Sequence, residues 1–245
     1  MSSDKDKSLD LLGVKPIADA INTVTKGAVE GAGAFLGRIC LPAAEEFGLL
    51  LKDKVSSWRE NNAVTIVQKA EQKHQQNMID PHFHAHPRLV MTAFESGSWS
   101  DNDSIQEMWA GLLASSCSQD GKDESNLLFM NLLSQLTTTE ALILNHCCET
   151  VEIELSQGGW LGPKNRFTME LDELKELTGL DDIHRIDREL DHLRALELAL
   201  SGFHPYSTQA EMAPTALGLH MYVRCQGYVG SPLDYFGLSE QNPKP

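Results

Sequence analysis

Between Asp101 and Cys117 the chain reads DNDSIQEMWAGLLASSC, and its large apolar residues recur at helical spacing. Ile105, Met108, Trp109, Leu112 and Leu113 fall at i, i+3, i+4, i+7 and i+8, one stripe of a helix. Ser104 followed by Glu107 has the spacing of a capping box and predicts where the helix starts. Ala110, Gly111 and Ala114 leave an adjoining face nearly bare, so another helix can approach closely there. The stripe predicts the central helix of a helical core, and Trp109 is read as a core-organising residue.

Other stretches carry the same period. From Pro42 to about Gln76 the spacing predicts a long helix, with Phe47, Leu51, Val55 and Trp58 on one face and Ile66, Val67 and Ala70 extending it. Pro42 suits a first turn, and a bend is expected near Asn61 and Asn62, where helix propensity is poor. Arg59 stays open between a buried ion-pair partner and a surface residue. Arg88 to Phe94 reads as a short helix, SQDGKDESN as a loop, and Asn126 to Leu136 as a short buried helix. Upstream, Gly27, Gly31, Gly33 and Gly37 give small-x-x-x-small pairs, interrupted by Lys26, Glu30 and Arg38. That segment is expected to be a weakly stable helix that packs on a partner or on this same protein, with membrane insertion of residues 11–37 after a trigger, or disorder, as alternatives.

Beyond Leu136 the pattern changes to helix, helix, tight turn, helix. Thr137 and Glu140 form a capping box before Ala141, Leu142 and Leu144; Val151 to Leu155 is a candidate strand. Leu171, Leu174 and Leu177 mark a helix that Gly179 can end, and Asp181 or Asp182 can cap the next, which is read through to Leu200. Glu211 to Thr215 and Leu219 to Cys225 can be the arms of a wing, or a short strand and a terminal helix. The predicted fold is therefore mainly α: a Gly/Ala-rich segment at 1–40, a helical domain at 41–136, a winged-helix-like module with at most a small β-wing at 137–226, and a Pro/Gly-rich tail at 227–245.

Charge narrows the function classes. A formal net charge of -15 opposes any mode that neutralises phosphates, and in the presumed recognition helix Asp181, Asp182, Asp187, Glu189, Asp191 and Glu197 outnumber Arg185, Arg188 and Arg194. Nucleic acid is thus an unfavourable partner, and the arginines are expected to pair with acidic neighbours at helical spacing. Five scattered cysteines, Cys40, Cys117, Cys147, Cys148 and Cys225, suggest reduced thiols in a cytoplasm. No run approaches the roughly 20 apolar residues that span a bilayer.

The most enzyme-like stretch is IDPHFHAHP, where His82, His84 and His86 alternate and an extended chain would put three imidazoles on one side. No H-E-x-x-H and no paired Cys-x-x-Cys accompanies them, so a polar interhelical loop is the preferred reading and a metal-dependent hydrolase the alternative. No catalytic residue and no cofactor is predicted.

LPAAEEFGLLLKDKVSSWRENNAVTIVQKA, QEMWAGLLASS, LTTTEALIL and APTALGLHMYVRC together resemble the Abi-alpha family of bacterial abortive-infection proteins, over about Leu41 to Cys225. The most specific parts are W-R-x-x-N at Trp58, Arg59 and Asn62 and M-W-A-x-L-L-A at Met108 to Ala114. The resemblance implies antiviral defence, in which infected cells arrest or die before phage release, and it brings no catalytic residues. Together these readings predict a non-enzymatic defence protein working through protein contact or self-association, with a phage-derived trigger, and with an acidic transcription regulator as a further alternative. They also predict that the helices carrying Trp58 and Trp109 pack together.

Overall fold

The computed structural model describes residues 14–45 and 57–239, with side chains over 27–45 and 58–239. The expected apolar positions Phe47, Leu51 and Val55 and the polar start at 1–10 lie outside the described residues. The chain is mainly helical, with small antiparallel sheets.

Its first half is built from α1 (Val14–Ile39), α2 (Ser57–Gln76), α3 (Pro87–Gly97), α4 (Asp103–Ala114) and α5 (Leu127–Leu133). Strands β1 (His84–Ala85) and β2 (Cys117–Ser118) tie the loops flanking α3 and α4 together. Helices α2 and α4 make the most extensive contact between helices, as their apolar stripes require. Ala63, Ile66, Val67 and Ala70 on α2 and Ile105, Met108, Trp109, Leu112 and Leu113 on α4 are all buried. Lys69 and Lys73 fasten the outer edge of this pair by reaching Glu107, each at 3.0 Å.

That ion pair displaces the expected capping box. Asn102, not Ser104, caps α4, its side chain accepting the Ile105 N–H at 3.2 Å, while Glu107 is drawn toward the two lysines of α2. Helix α2 also runs through Asn61 and Asn62 as one element. Asn62 is buried and hydrogen-bonded to neighbouring helices, which offsets its poor helix propensity. In α1, Ala32, Phe35, Leu36 and Ile39 form the buried stripe against α2. The glycines are not the contact: a Cβ on Gly27, Gly31, Gly33 or Gly37 would find nothing within 4 Å. The larger side chains bury more apolar surface, and they decide which face turns inward.

The second half comprises α6 (Thr138–Thr150), β3 (Ile153–Leu155), β4 (Leu161–Pro163), β5 (Thr168–Glu170), α7 (Leu171–Thr178), α8 (Ile183–Ala195), β6 (Ala199–Phe203), β7 (Gln209–Pro214), α9 (Ala216–Cys225) and α10 (Pro232–Tyr235). The Thr137–Glu140 capping box is complete, Gly179 ends α7 with φ 68°, and Asp182 caps α8. Strands β3 and β4 form a hairpin, and β5, β7 and β6 form an antiparallel sheet in that order.

One boundary differs from the sequence expectation. The helix read through to Leu200 stops at Ala195, because Glu197 turns the chain with φ 59° and residues Ala199 to Phe203 run as a strand. Ala199 and Ser201 point inward while Leu200 is exposed, a period of two that the leucine-rich spelling conceals. Of the two readings of 211–225, the strand and terminal helix is the one found. Helix α9 lies directly on α4, and a single apolar cluster runs from α1 to α9. The chain after α9 folds back, with Tyr235 edge-on to Tyr222 at 6.2 Å and Leu238 buried.

Candidate functional site

The sequence motifs converge where α3 turns into α4. Gly97 is the last residue of α3, and a Cβ there would stand about 3.0 Å from both Ile66 and Trp109, so glycine lets α3 end close against α2 and α4. The next residue, Ser98, is buried and serves as the anchor of the corner. Arg59 donates to its hydroxyl from Nε at 3.1 Å and Nη2 at 2.8 Å, and Asn62 Nδ2 donates to its carbonyl at 3.1 Å. Gln106 Nε2 then donates to Ser100 O at 3.0 Å and to Asn62 Oδ1 at 3.4 Å. Three buried or half-buried polar side chains on α2 and α4 thereby fix the backbone at 98–100.

That fixed backbone presents Trp99. Its ring is 63% exposed, with the Arg59 guanidinium 4.0 Å from its centroid. Among the described residues Arg59 binds a ring and a hydroxyl rather than a carboxylate. Trp109 is buried beneath the corner at 2% exposure, whereas Trp58, at the start of α2, is 41% exposed. The two helices pack together, with only one of their two tryptophans in the core.

A cleft of about 610 Å³ opens beside this corner, running from Glu95 and Trp99 over Trp109 to Thr137 and Thr138 at the start of α6. Its far wall is tied to α8. The Thr137 hydroxyl accepts from Glu140 N at 3.2 Å and donates to Glu189 Oε2 at 2.9 Å. Glu140 in turn takes the Thr137 N–H at 2.6 Å and faces His192 Nδ1. Burial works to raise the Glu189 carboxyl's pKa, but the Arg188 guanidinium and the Thr137 hydroxyl outweigh it and hold the group below its ordinary range. These carboxylates are thus bound into helix caps and ion pairs. On α8, Arg185 reaches Glu189 and Arg194 reaches Asp191 at the helical spacing expected from the charge pattern, while Arg188 pairs with its immediate neighbour Glu189 instead.

Other candidate groups are placed apart from the cleft. His84 Nδ1 sits 3.2 Å from Arg38 O, and His86 accepts the Arg88 N–H at 3.3 Å as the N-cap of α3. His82 is exposed, and only its backbone N–H is engaged by Asp80. Among the described residues no group of His, Cys, Asp and Glu side chains is arranged to hold a metal ion. All five cysteines are buried and free, and burial pushes the Cys117 and Cys147 thiols up to about 12, so their thiolates are disfavoured near neutrality. No helix among the described residues is long and apolar enough to cross a membrane.

Residues 61–215 match the family model described as abortive infection alpha. The chain belongs to that family. No curated protein and no solved structure matches it. The part of this abortive-infection alpha chain that matches contains Asn62, Trp99, Gln106 and Trp109, while Trp58 and Arg59 precede it. Sequence reasoning named Arg59, Asn62 and Trp109 but missed Ser98, Trp99 and Gln106. The available signal for Trp99 was an indole in the otherwise polar turn ESGSWSDND.

Proposed function

We propose that this abortive-infection alpha protein is a non-enzymatic phage-defence protein, a sensor or effector subunit, and that the Trp99 corner is one of its protein-contact surfaces. The observation that carries this reading is the rigid, exposed Trp99 stacked on an anchored Arg59. Tryptophan and arginine dominate binding hot spots, and a side chain held in place before contact loses little entropy on binding. Five free, buried thiols suit the reducing cytoplasm in which such a protein would act.

The reading extends to architecture: a helical domain to about residue 136, then a winged-helix-like module at 137–226 used for protein contact. Its support is the order α6, β5, α7, α8, β6, β7, with the β3–β4 hairpin inserted after α6 and with β6 and β7 as the hairpin in the wing position. The acidic surface of α8, with its arginines already paired, favours a protein over a duplex as the partner. A phage challenge of bacteria expressing the full chain tests the proposal. Wild type is expected to lower plaque numbers on at least one phage of a broad panel, and Trp99→Ala to lose that protection while accumulating to the same level. Unchanged plaque numbers for wild type, or full protection by Trp99→Ala, would overturn it.

A further inference from the structure

A second surface lies toward the other end of α6, at His146 and Thr150. A groove of about 420 Å³ runs between α6 and α7, with His146, Phe167, Met169 and Leu177 inside and Glu173 and Glu176 at the mouth. Met169 is buried, and Phe167 and Leu177 are half-buried against the core, so the apolar floor is continuous with the interior. His146 rests against the Phe167 ring at 6.2 Å. The mouth is acidic without compensation. Among the described residues no basic side chain lies within ion-pair distance of Glu173, Glu176, Asp172 or Glu149, although Glu173 accepts one backbone N–H from Glu170.

We infer that this groove is the docking site for a basic amphipathic segment of another protein. A lysine or arginine can lay its methylene stem along Phe167, Met169 and Leu177 while its charged head meets Glu173 and Glu176. Apolar neighbours one helical turn away would cover the rest of the floor, the helix-in-groove mode of recognition. The charge of the whole chain supports this occupant. At a net -15 it attracts a cationic partner at long range, and it repels a second copy of itself and nucleic acid. The volume accommodates one anchoring side chain and its neighbours, and specificity would come from the acidic rim.

Fluorescence anisotropy on the full chain tests this with three labelled peptides of about 16 residues. One carries arginine and leucine at helical spacing, one is its scramble with the stripe destroyed, and one has glutamate in place of arginine. The first is expected to bind about tenfold or more tightly than the scramble, and the acidic peptide not at all. Glu176→Lys, at an exposed position, is expected to weaken the first peptide about tenfold with an unchanged melting curve. Asp101→Lys, an equal charge change at an exposed site on the loop before α4, is expected to change it less than about threefold. Equal binding of peptide and scramble, or equal losses in the two variants, would reduce the effect to undirected charge attraction and overturn the inference. Absence of binding by the first peptide would overturn it as well.

Discussion

Gly111 and Cys225 meet backbone to backbone: a Cβ on Gly111 would stand 1.6 Å from the Cys225 carbonyl oxygen. The contact joins the central helix α4 to the terminal helix α9, and Ser115 reinforces it by donating to Arg224 O at 2.9 Å. Helix α9 is pinned near its other end in the same way, since a Cβ on Gly218 would come 2.1 Å from Leu198 O. Two glycines thus allow α9 to lie between α4 and the approach to β6. Neither could be replaced without moving main chain.

Gly111→Ala is therefore expected to cost about 3 kcal/mol or more, the upper end of overpacking, because the clashing atom is backbone and cannot rotate away. Gly31→Ala, in α1 with open space around it, is expected to stabilise by about 0.5–1 kcal/mol through helix propensity alone. Chemical denaturation of the two variants checks both. A loss below about 1 kcal/mol for Gly111→Ala would falsify the close approach.

The central helix was legible because a burial stripe and small residues coincide in one short stretch, and Gly111 was flagged as a site of close approach from composition alone. The Thr137 cap, the Gly179 stop and the Arg185–Glu189 and Arg194–Asp191 pairs of α8 were legible for the same reason: they are local rules. What was not legible depends on partners distant in sequence. Asn102 rather than Ser104 caps α4 because Lys69 and Lys73 compete for Glu107. Strand β6 was hidden because its pairing with β7, not its residues, makes it a strand. Trp99 owes its place to Arg59, some forty residues earlier, and the side chains of His84 and His86 reach separate backbone partners, the Arg38 carbonyl and the Arg88 N–H.

Asn62 and Trp99 belong to the same corner but are expected to behave oppositely. Asn62→Ala removes a buried donor from Ser98 O and an acceptor from Gln106, which is expected to cost about 1–3 kcal/mol. Trp99→Ala removes a largely exposed ring and is expected to cost under about 1 kcal/mol, the loss being mainly of the cation–π contact. Denaturation midpoints separate the two. Large destabilisation by Trp99→Ala would make the indole a packing element and remove it as a contact residue.

Thiol chemistry gives an independent check on the core. With Cys40, Cys117, Cys147, Cys148 and Cys225 all buried and their pKa values raised by burial, the native protein is expected to react with a thiol reagent at about pH 8 no faster than it opens. Denatured protein should release all five at once. Rapid labelling of one thiol in native protein would show that its helix is open on that side.

His74 makes stability depend on pH. It lies on α2 at 2% exposure, edge-on to Phe35 of α1 at 5.8 Å, and its Nε2 is buried with no hydrogen-bond partner among the described residues. Burial lowers its pKa most, the Arg38 guanidinium lowers it further, and Asp80 opposes them only in part. His220 is lowered by burial and then by Arg224. For a group whose pKa is depressed on folding and whose charged form is the acid, the unfolded chain takes up the proton first, so stability is complete above about pH 6.5 and declines as pH falls below it. Glu107 does not obscure this window: burial pushes its pKa up, Lys69 and Lys73 more than offset that, and its contribution is lost only below about pH 4.5. Denaturation between about pH 7.5 and 5.5 should therefore show falling stability, and His74→Leu should flatten the slope while leaving stability at the upper pH nearly unchanged, since an unpartnered nitrogen is removed. A slope identical in wild type and His74→Leu would move the dependence elsewhere, with His220 as the next group to replace.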